Sequence, residues 1–246
     1  MAASVALPVT MFVAPAQAAS STVSGVSVST VAGSPSKAAT KTKCKKGKKG
    51  KKCRRAKLAK KRRAENRIPL KTKLLSASDL GSGWVTRTVS DSQRSEALGS
   101  VSVSPAKCLP TDSSLPGAKK SKDRAFTEGE SNVSAGLGQT VGRFRTKKAA
   151  KASMAQLKTQ AAACGSVVVT TEYGPVNVTV QRTSSPKYGH QTIAYKLKAT
   201  HLFANGEAYA VAIRKGRFAT AVVFGELGTA SKAFTLRMAS KAADRL

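Results

Sequence analysis

Apolar residues are sparse up to about residue 68 and dense after residue 133, and the dense part is periodic. Its clearest stretch is 146–165, TKKAAKASMAQLKTQAAACG. Ala150, Met154, Leu157, Ala161 and Cys164 recur at helical spacing, with lysines and glutamines between them. Thr146 suits the N-cap, and Gly165 suits a left-handed stop. Residues 167–171 are β-branched, and Gly174-Pro175 marks a turn. Val176, Val178 and Val180 then alternate with polar residues, as do Ile193, Tyr195, Leu197 and Ala199. Asn205-Gly206 signals a hairpin, and 207–214 pairs with 217–226 through Lys215-Gly216. Residues 229–246 carry a helical stripe of Phe234, Met238 and Ala242, with Thr229 as the cap.

The part before the central helix is less regular. Ser76 to Asp79 resembles a capping box opening a short helix that Gly81 and Gly83 end. Residues 86–124 read mostly as loop. Residues 126–132 and 139–145 read as strands, the second as a glycine-bulged edge. Short turns join neighbouring strands. The fold class expected is therefore α+β: an antiparallel β-sheet with helices packed on one face, preceded by a disordered basic N-terminal segment.

Three segments follow. Residues 1–19 hold a short apolar run and an Ala16-Gln17-Ala18 cleavage-like site, so they look like a secretory signal. That run is too short to span a bilayer. Residues 20–67 begin as a Ser/Thr-rich linker and become Lys/Arg-rich. Residues 68–246 form the α+β domain. Secretion or attachment to the cell surface is the location this order implies.

Charge sharpens the picture. The chain carries a formal net charge of +31. In the basic block, Lys45, Lys46, Lys48, Lys49, Lys51, Lys52, Arg54, Arg55, Lys60, Lys61, Arg62 and Arg63 are the expected polyanion-binding residues. Like charges keep such a block unfolded until a polyanion neutralises it, apart from a short basic helix over residues 56–64. No aromatic residue interleaves the lysines, so bases have nothing to stack on. The expected partner is an anionic cell-surface polymer or nucleic acid, held through its backbone. From Ile68 onward 26 basic residues face 11 acidic ones, so the domain is itself near +15.

The four cysteines, Cys44, Cys53, Cys108 and Cys164, lack zinc-like spacing, and the two histidines lie far from the first three. Two disulfides in an oxidising compartment fit better than a metal. Cys44 and Cys53 bracket a small lysine-glycine loop. A Cys108–Cys164 bridge would tether the long loop to the end of the central helix.

Several elements together resemble a family. They are Leu74-Leu75 through Gly83-Trp84, Cys108, the strand and helix ending in Cys164, and the hairpin around Ala212-Ile213-Arg214-Lys215-Gly216-Arg217 with Val222-Val223. A C-terminal helix completes the set, which spans roughly residues 70–246. It is similar to secreted actinobacterial proteins related to the extracellular sensor domain of PknH-type Ser/Thr kinases. The resemblance implies a sheet with helices on one side, a disulfide between Cys108 and Cys164, and a cleft for an unidentified ligand. The chain departs from the pattern at Ala161, Ala162 and Ala163, where that family often has a tryptophan.

Catalytic signatures are missing. Gly136, Gly138 and Gly142 precede a strand and read as turn and bulge rather than a phosphate loop. His190 and His201 sit on opposite faces if the strand between them is regular. Glu128 and Glu130 suit salt bridges to lysine better than acid–base work. The expected activity is non-enzymatic, with no cofactor and no metal. The expected function is a sensor-like binding domain tethered by its basic segment; the alternative is a polyanion binder acting through charge.

Overall fold

The computed structural model describes residues 48–87, 102–108, 115–129, 135–171, 174–201 and 205–246. Of the described residues, Leu70–Leu246 belong to one compact unit and 48–69 to another.

In the larger unit the alternating segments pair into one antiparallel sheet of nine strands. These are β1 (Trp84–Arg87), β2 (Ser102–Ser104), β3 (Lys120–Glu128), β4 (Ala135–Arg143), β5 (Ser166–Thr171), β6 (Gly174–Thr183), β7 (Gln191–Thr200), β8 (Asn205–Lys215) and β9 (Phe218–Leu227). Their order across the sheet is β1-β3-β4-β9-β8-β7-β6-β5-β2. Every paired neighbour runs antiparallel. Helix α1 (Lys48–Arg67) precedes the sheet. The single turn α2 (Ala77–Leu80) leads into it, α3 (Lys147–Ala163) interrupts it, and α4 (Lys232–Asp244) closes it.

The register decides where each helix packs. Leu137, Phe224 and Tyr209 lie side by side across β4, β9 and β8, as do Val222, Val211 and Ala194 across β9, β8 and β7. Leu75, Leu80 and α4's Met238 and Ala242 close over the first row. Ala239 and Ala243 of α4 pack on Val211, Ala194 and Ile213. The intervening residues point the other way, since the pleat has period two. There Ala212, Ala219 and Ile193 meet Ala150 and Met154 of α3, with Phe144 and Leu115. The α+β class and the antiparallel sheet agree with the sequence reading, while the helices are shared between the two faces rather than gathered on one. The physical cause is visible in β8. Tyr209, Val211 and Ile213 are buried on one face and Ala208 and Ala212 on the other. A strand buried on both sides needs cover on both.

The central helix follows its sequence signals closely. The Thr146 hydroxyl accepts from the Ala149 N–H at 3.0 Å. Ala150, Met154 and Ala161 are buried, and Leu157 packs at their edge. Its stop differs from the expectation. Cys164 takes the C-cap with φ −117°, and Gly165 is not left-handed. The Gly165 carbonyl accepts from Val180 N–H at 2.8 Å, so sheet pairing sets the backbone there.

Other boundaries moved for similar reasons. The segment expected as an edge is interior, because β4 pairs with both β3 and β9. Its glycines let close neighbours in: a Cβ at Gly142 would sit 2.9 Å from the Leu115 side chain. Residues 86–124, expected as mostly loop, supply the end of β1, all of β2 and the start of β3. Asn205 and Gly206 are the first residues of β8, paired with Thr200 and Ala199, rather than the turn itself. Gly216, at φ +69°, does make the tight β8–β9 turn. Ser231, not Thr229, caps α4, its hydroxyl accepting from Phe234 N–H at 3.2 Å.

Candidate functional site

The charge signalled by the sequence lies on α1. Lysine, arginine and alanine are strong helix formers, and the helix runs from Lys48 to Arg67, longer than the short helix expected. Twenty residues at 1.5 Å each make a rod about 30 Å long. Lys48, Lys49, Lys51 and Lys52 lie in its first turns. Arg54, Arg55, Lys60, Lys61, Arg62 and Arg63 are all exposed. Steps of 100° per residue spread these cations through the full turn, so the helix has no neutral side. Arg54, Lys57, Lys60 and Arg63 stand three apart in series, and like charges at that spacing repel. Leu58 is 56% exposed and has no apolar stripe around it. Lys45, Lys46 and Cys44 lie outside the described residues, as do residues 1–19 and the linker that follows them.

The structure bonds Cys108 to Cys164, with Cα atoms 5.8 Å apart across a separation of 56 residues. The bridge joins the 3₁₀ turn after β2 to the C-cap of α3. Cys53 is disulfide-bonded too, its partner lying outside the described residues.

The other sequence candidates come apart. His190 precedes β7 and His201 follows it, so they stand at opposite ends of the strand. His190 Nδ1 accepts from Gly216 N–H at 3.2 Å, a turn contact. Glu128 ends β3, and Glu130 lies outside the described residues. Among the described residues, no group of three or more His, Cys, Asp or Glu side chains converges as a metal site. Among them no helix is long and apolar enough to cross a membrane.

Sequence reasoning missed a polar clamp under the sheet. Gln139, 1% exposed, accepts from Leu75 N–H at 2.6 Å and donates to the Lys73 carbonyl at 3.3 Å and the Thr220 hydroxyl at 3.2 Å. Asp79 accepts from the Ser76 N–H and hydroxyl, both at 2.6 Å, and pairs with Arg245. Burial pulls the Asp79 carboxyl upward, but the Ser76 hydrogen bonds and the charges of Arg245 and Lys241 together hold it below its ordinary value. Lys73 donates to the Arg245 and Leu246 carbonyls and lies 4.8 Å from the centre of the Phe218 ring. These groups lock the segment before β1 and the end of α4 onto one sheet face. Apart from the Ser76–Asp79 capping box, which the sequence does signal, the partners lie 64 to 173 residues apart, and no local pattern discloses them.

A second polar group sits across β7 and β8. Glu207 bridges Lys196 at 2.7 Å and Lys198 at 3.8 Å, and Lys196 lies 5.5 Å from the Tyr209 ring centre. The Glu207 hydrogen bond raises the Lys196 pKa above its ordinary value. Tyr195 is pushed up by burial, with Arg182 opposing. Both are explained by their own neighbours and set up no nucleophile–base pair.

No protein-family profile and no curated protein matches the chain. Among solved structures, the extracellular domain of PknH from Mycobacterium tuberculosis aligns with a TM-score of 0.52 and 18% identity. It covers 71% of this chain and 93% of that one. An uncharacterised Mycobacterium smegmatis protein, an Rv0999 ortholog, aligns with a TM-score of 0.38 and 13% identity, covering 69% and 93%. The nine-stranded unit is thus similar in fold to the extracellular domain of PknH, as the Leu74–Trp84 opening and the helix-end cysteine led one to expect.

Proposed function

We propose that the chain is a secreted, non-enzymatic, sensor-like binding domain held at an anionic cell surface by its basic segment. The observation that carries this reading is the fold similar to that of the PknH extracellular domain, joined in one chain to a helix that is basic on every side. A disulfide-bonded core suits an oxidising space outside the cytosol. The helix supplies attraction without base reading, because cations dominate its exposed side chains and none of its residues is aromatic. The segmentation into 1–19, 20–67 and 68–246 belongs to this proposal: export signal, tether and binding unit.

The test uses full-length protein and a variant with Arg54, Arg55, Lys60, Lys61, Arg62 and Arg63 changed to Gln. Retention on isolated cell walls is read against salt. The tether reading expects retention to collapse in the variant while the melting temperature of the folded unit stays put. Unchanged retention would sink it.

A second reading makes the charge itself the function, with phosphate or other anionic polymers as the target. The folded unit's own excess of cations favours it: 26 basic against 11 acidic residues from Ile68 onward. The two readings part on whether a polyanion is the cargo or merely the anchor. Binding of a polyanion by the folded unit's own surface would favour the second.

A further inference from the structure

Strands β3, β8 and β9 are electrically polarised along their length, while Lys196 and Lys198 of β7 meet Glu207 toward the acidic end. β3 begins, and β4 ends, at the same edge as the β8–β9 turn. Lys120 pairs with Arg143, Arg143 with Phe218, and Phe218 with Lys215. The chain leaving β4 carries Arg145 and then Lys147 and Lys148 in the first turn of α3. Lys120, Arg145, Lys147, Lys148 and Lys215 are exposed, and Arg143 is half-buried. No acidic residue occurs in segments 115–122, 143–151, 187–191 or 213–218, which together form this end. Two acids border it: Asp123, three positions along β3, and Asp244, next to the Ala243 carbonyl that Lys215 reaches at 3.4 Å. The far ends of the same strands carry Glu128, Glu207 and Glu226, with Glu207 and Glu226 directly opposed.

A solubilising surface has no need of such separation. The placement of Lys147 and Lys148 works against stability, because cations in a helix's first turn oppose its dipole. We propose that this end of the sheet is a second anion-binding surface, built for a linear phosphate polymer. The proposal rests on the polyanion reading above and places the site on the folded unit rather than on α1.

The geometry selects the ligand. From β3 to β8 is three strand spacings, about 14 Å. That is a strip wide enough for one chain of phosphates laid across the strand ends. Mixed lysine and arginine heads suit phosphate oxygens. Phe144 and Phe218 are 1% and 5% exposed and offer bases no stacking face, which leaves the half-buried Tyr188 and the exposed His190, whose Nδ1 accepts from Gly216 N–H, as the rings that reach the surface of this end. Recognition would run chiefly through phosphates, since the cations outnumber these two rings.

The experiment compares full-length protein with two four-fold variants. One carries Lys120→Gln, Arg145→Gln, Lys147→Gln and Lys148→Gln. The other removes the same charge elsewhere on the folded unit: Lys158→Gln, Arg182→Gln, Lys198→Gln and Arg237→Gln. Binding of long-chain inorganic polyphosphate is measured across a salt series, with duplex DNA as a parallel arm. The first variant should lose at least tenfold in affinity and about three units of salt slope; the second should lose much less. Stronger loss with polyphosphate than with duplex DNA assigns a flexible chain. Equal or greater loss with DNA assigns a duplex backbone to the same surface. Equal behaviour of the two variants overturns the sheet-end site and leaves the polyanion reading standing. No binding of polyphosphate or DNA by the unmodified chain overturns both. Circular dichroism checks that both variants keep their fold.

Discussion

Helix α1 and the basic end of the sheet carry the same charges in opposite ways. In α1 the cations are neighbours in sequence, strung along one helix that no apolar face supports. At the sheet end they arrive from β3, β4, α3 and the β8–β9 turn, and the core fixes their spacing. A contiguous cationic helix must hold itself together against its own repulsion, so its order depends on salt and on ligand. An assembled patch is preorganised; what it loses in adaptability it gains in fixed geometry. The difference teaches where each surface should be vulnerable: α1 to charge, the sheet end to anything that loosens the fold.

The largest effect should come from α1. Changing Arg54, Arg55, Lys60, Lys61, Arg62 and Arg63 to Gln should lower the salt slope of duplex DNA binding by about five units. That amounts to roughly a thousandfold between 50 and 200 mM salt for contacts of this kind. The thermal melt of the sheet should not move. A falling melting temperature in that variant would mean that the two regions are not separable.

The next largest should come from the disulfide. Replacing Cys108 and Cys164 together by Ser frees a loop of 56 residues' separation, worth about 4 kcal/mol in the chain-entropy account. Guanidinium melts should show it. As the unit unfolds, the sheet-end share of polyphosphate binding should vanish while the α1 share survives.

Gln139→Leu should cost about 2 kcal/mol, since it strands the buried Leu75 N–H and the Lys73 carbonyl. Urea titration gives the value. A neutral result would mean that the clamp re-forms through water.

The smallest effect concerns pH. Asp79 is held below its ordinary carboxylate value of 3.8, so folding favours its ionised form. Its stabilisation is present above that value and is lost as the pH falls through the depressed one. Asp79→Asn should remove this acid-side slope, at a cost of about 1 kcal/mol or less at neutral pH given its partial exposure. Matching acid limbs in both proteins would assign the slope to other groups.

The sequence made much of this fold legible because the signals were local. Thr146 and the stripe at Ala150, Met154 and Ala161 define α3 by periodicity, and Gly216 marks its turn by conformation. The α1 charges are legible because they are contiguous. What escaped depended on partners far along the chain. The sharing of helices between two faces was hidden because Ala208, Ala210 and Ala212 give one side of β8 little apolar weight, although two of them are buried. The interior position of β4 was hidden because its glycines read as an edge, while Gly142 leaves room for Leu115. The sheet-end strip needs the pairing of Lys120 with Arg143 and of Lys215 with Phe218, which only register supplies.

One measurement reaches the central claim directly: backbone amide shifts of the full-length protein, recorded while long-chain polyphosphate is added at physiological salt. The account predicts two sets of perturbed amides, one along residues 54–63 and one at residues 119–120, 143–148 and 215–217, with the Glu128, Glu207 and Glu226 end silent. Perturbation confined to the helix, or scattered evenly over every surface lysine, would contradict it.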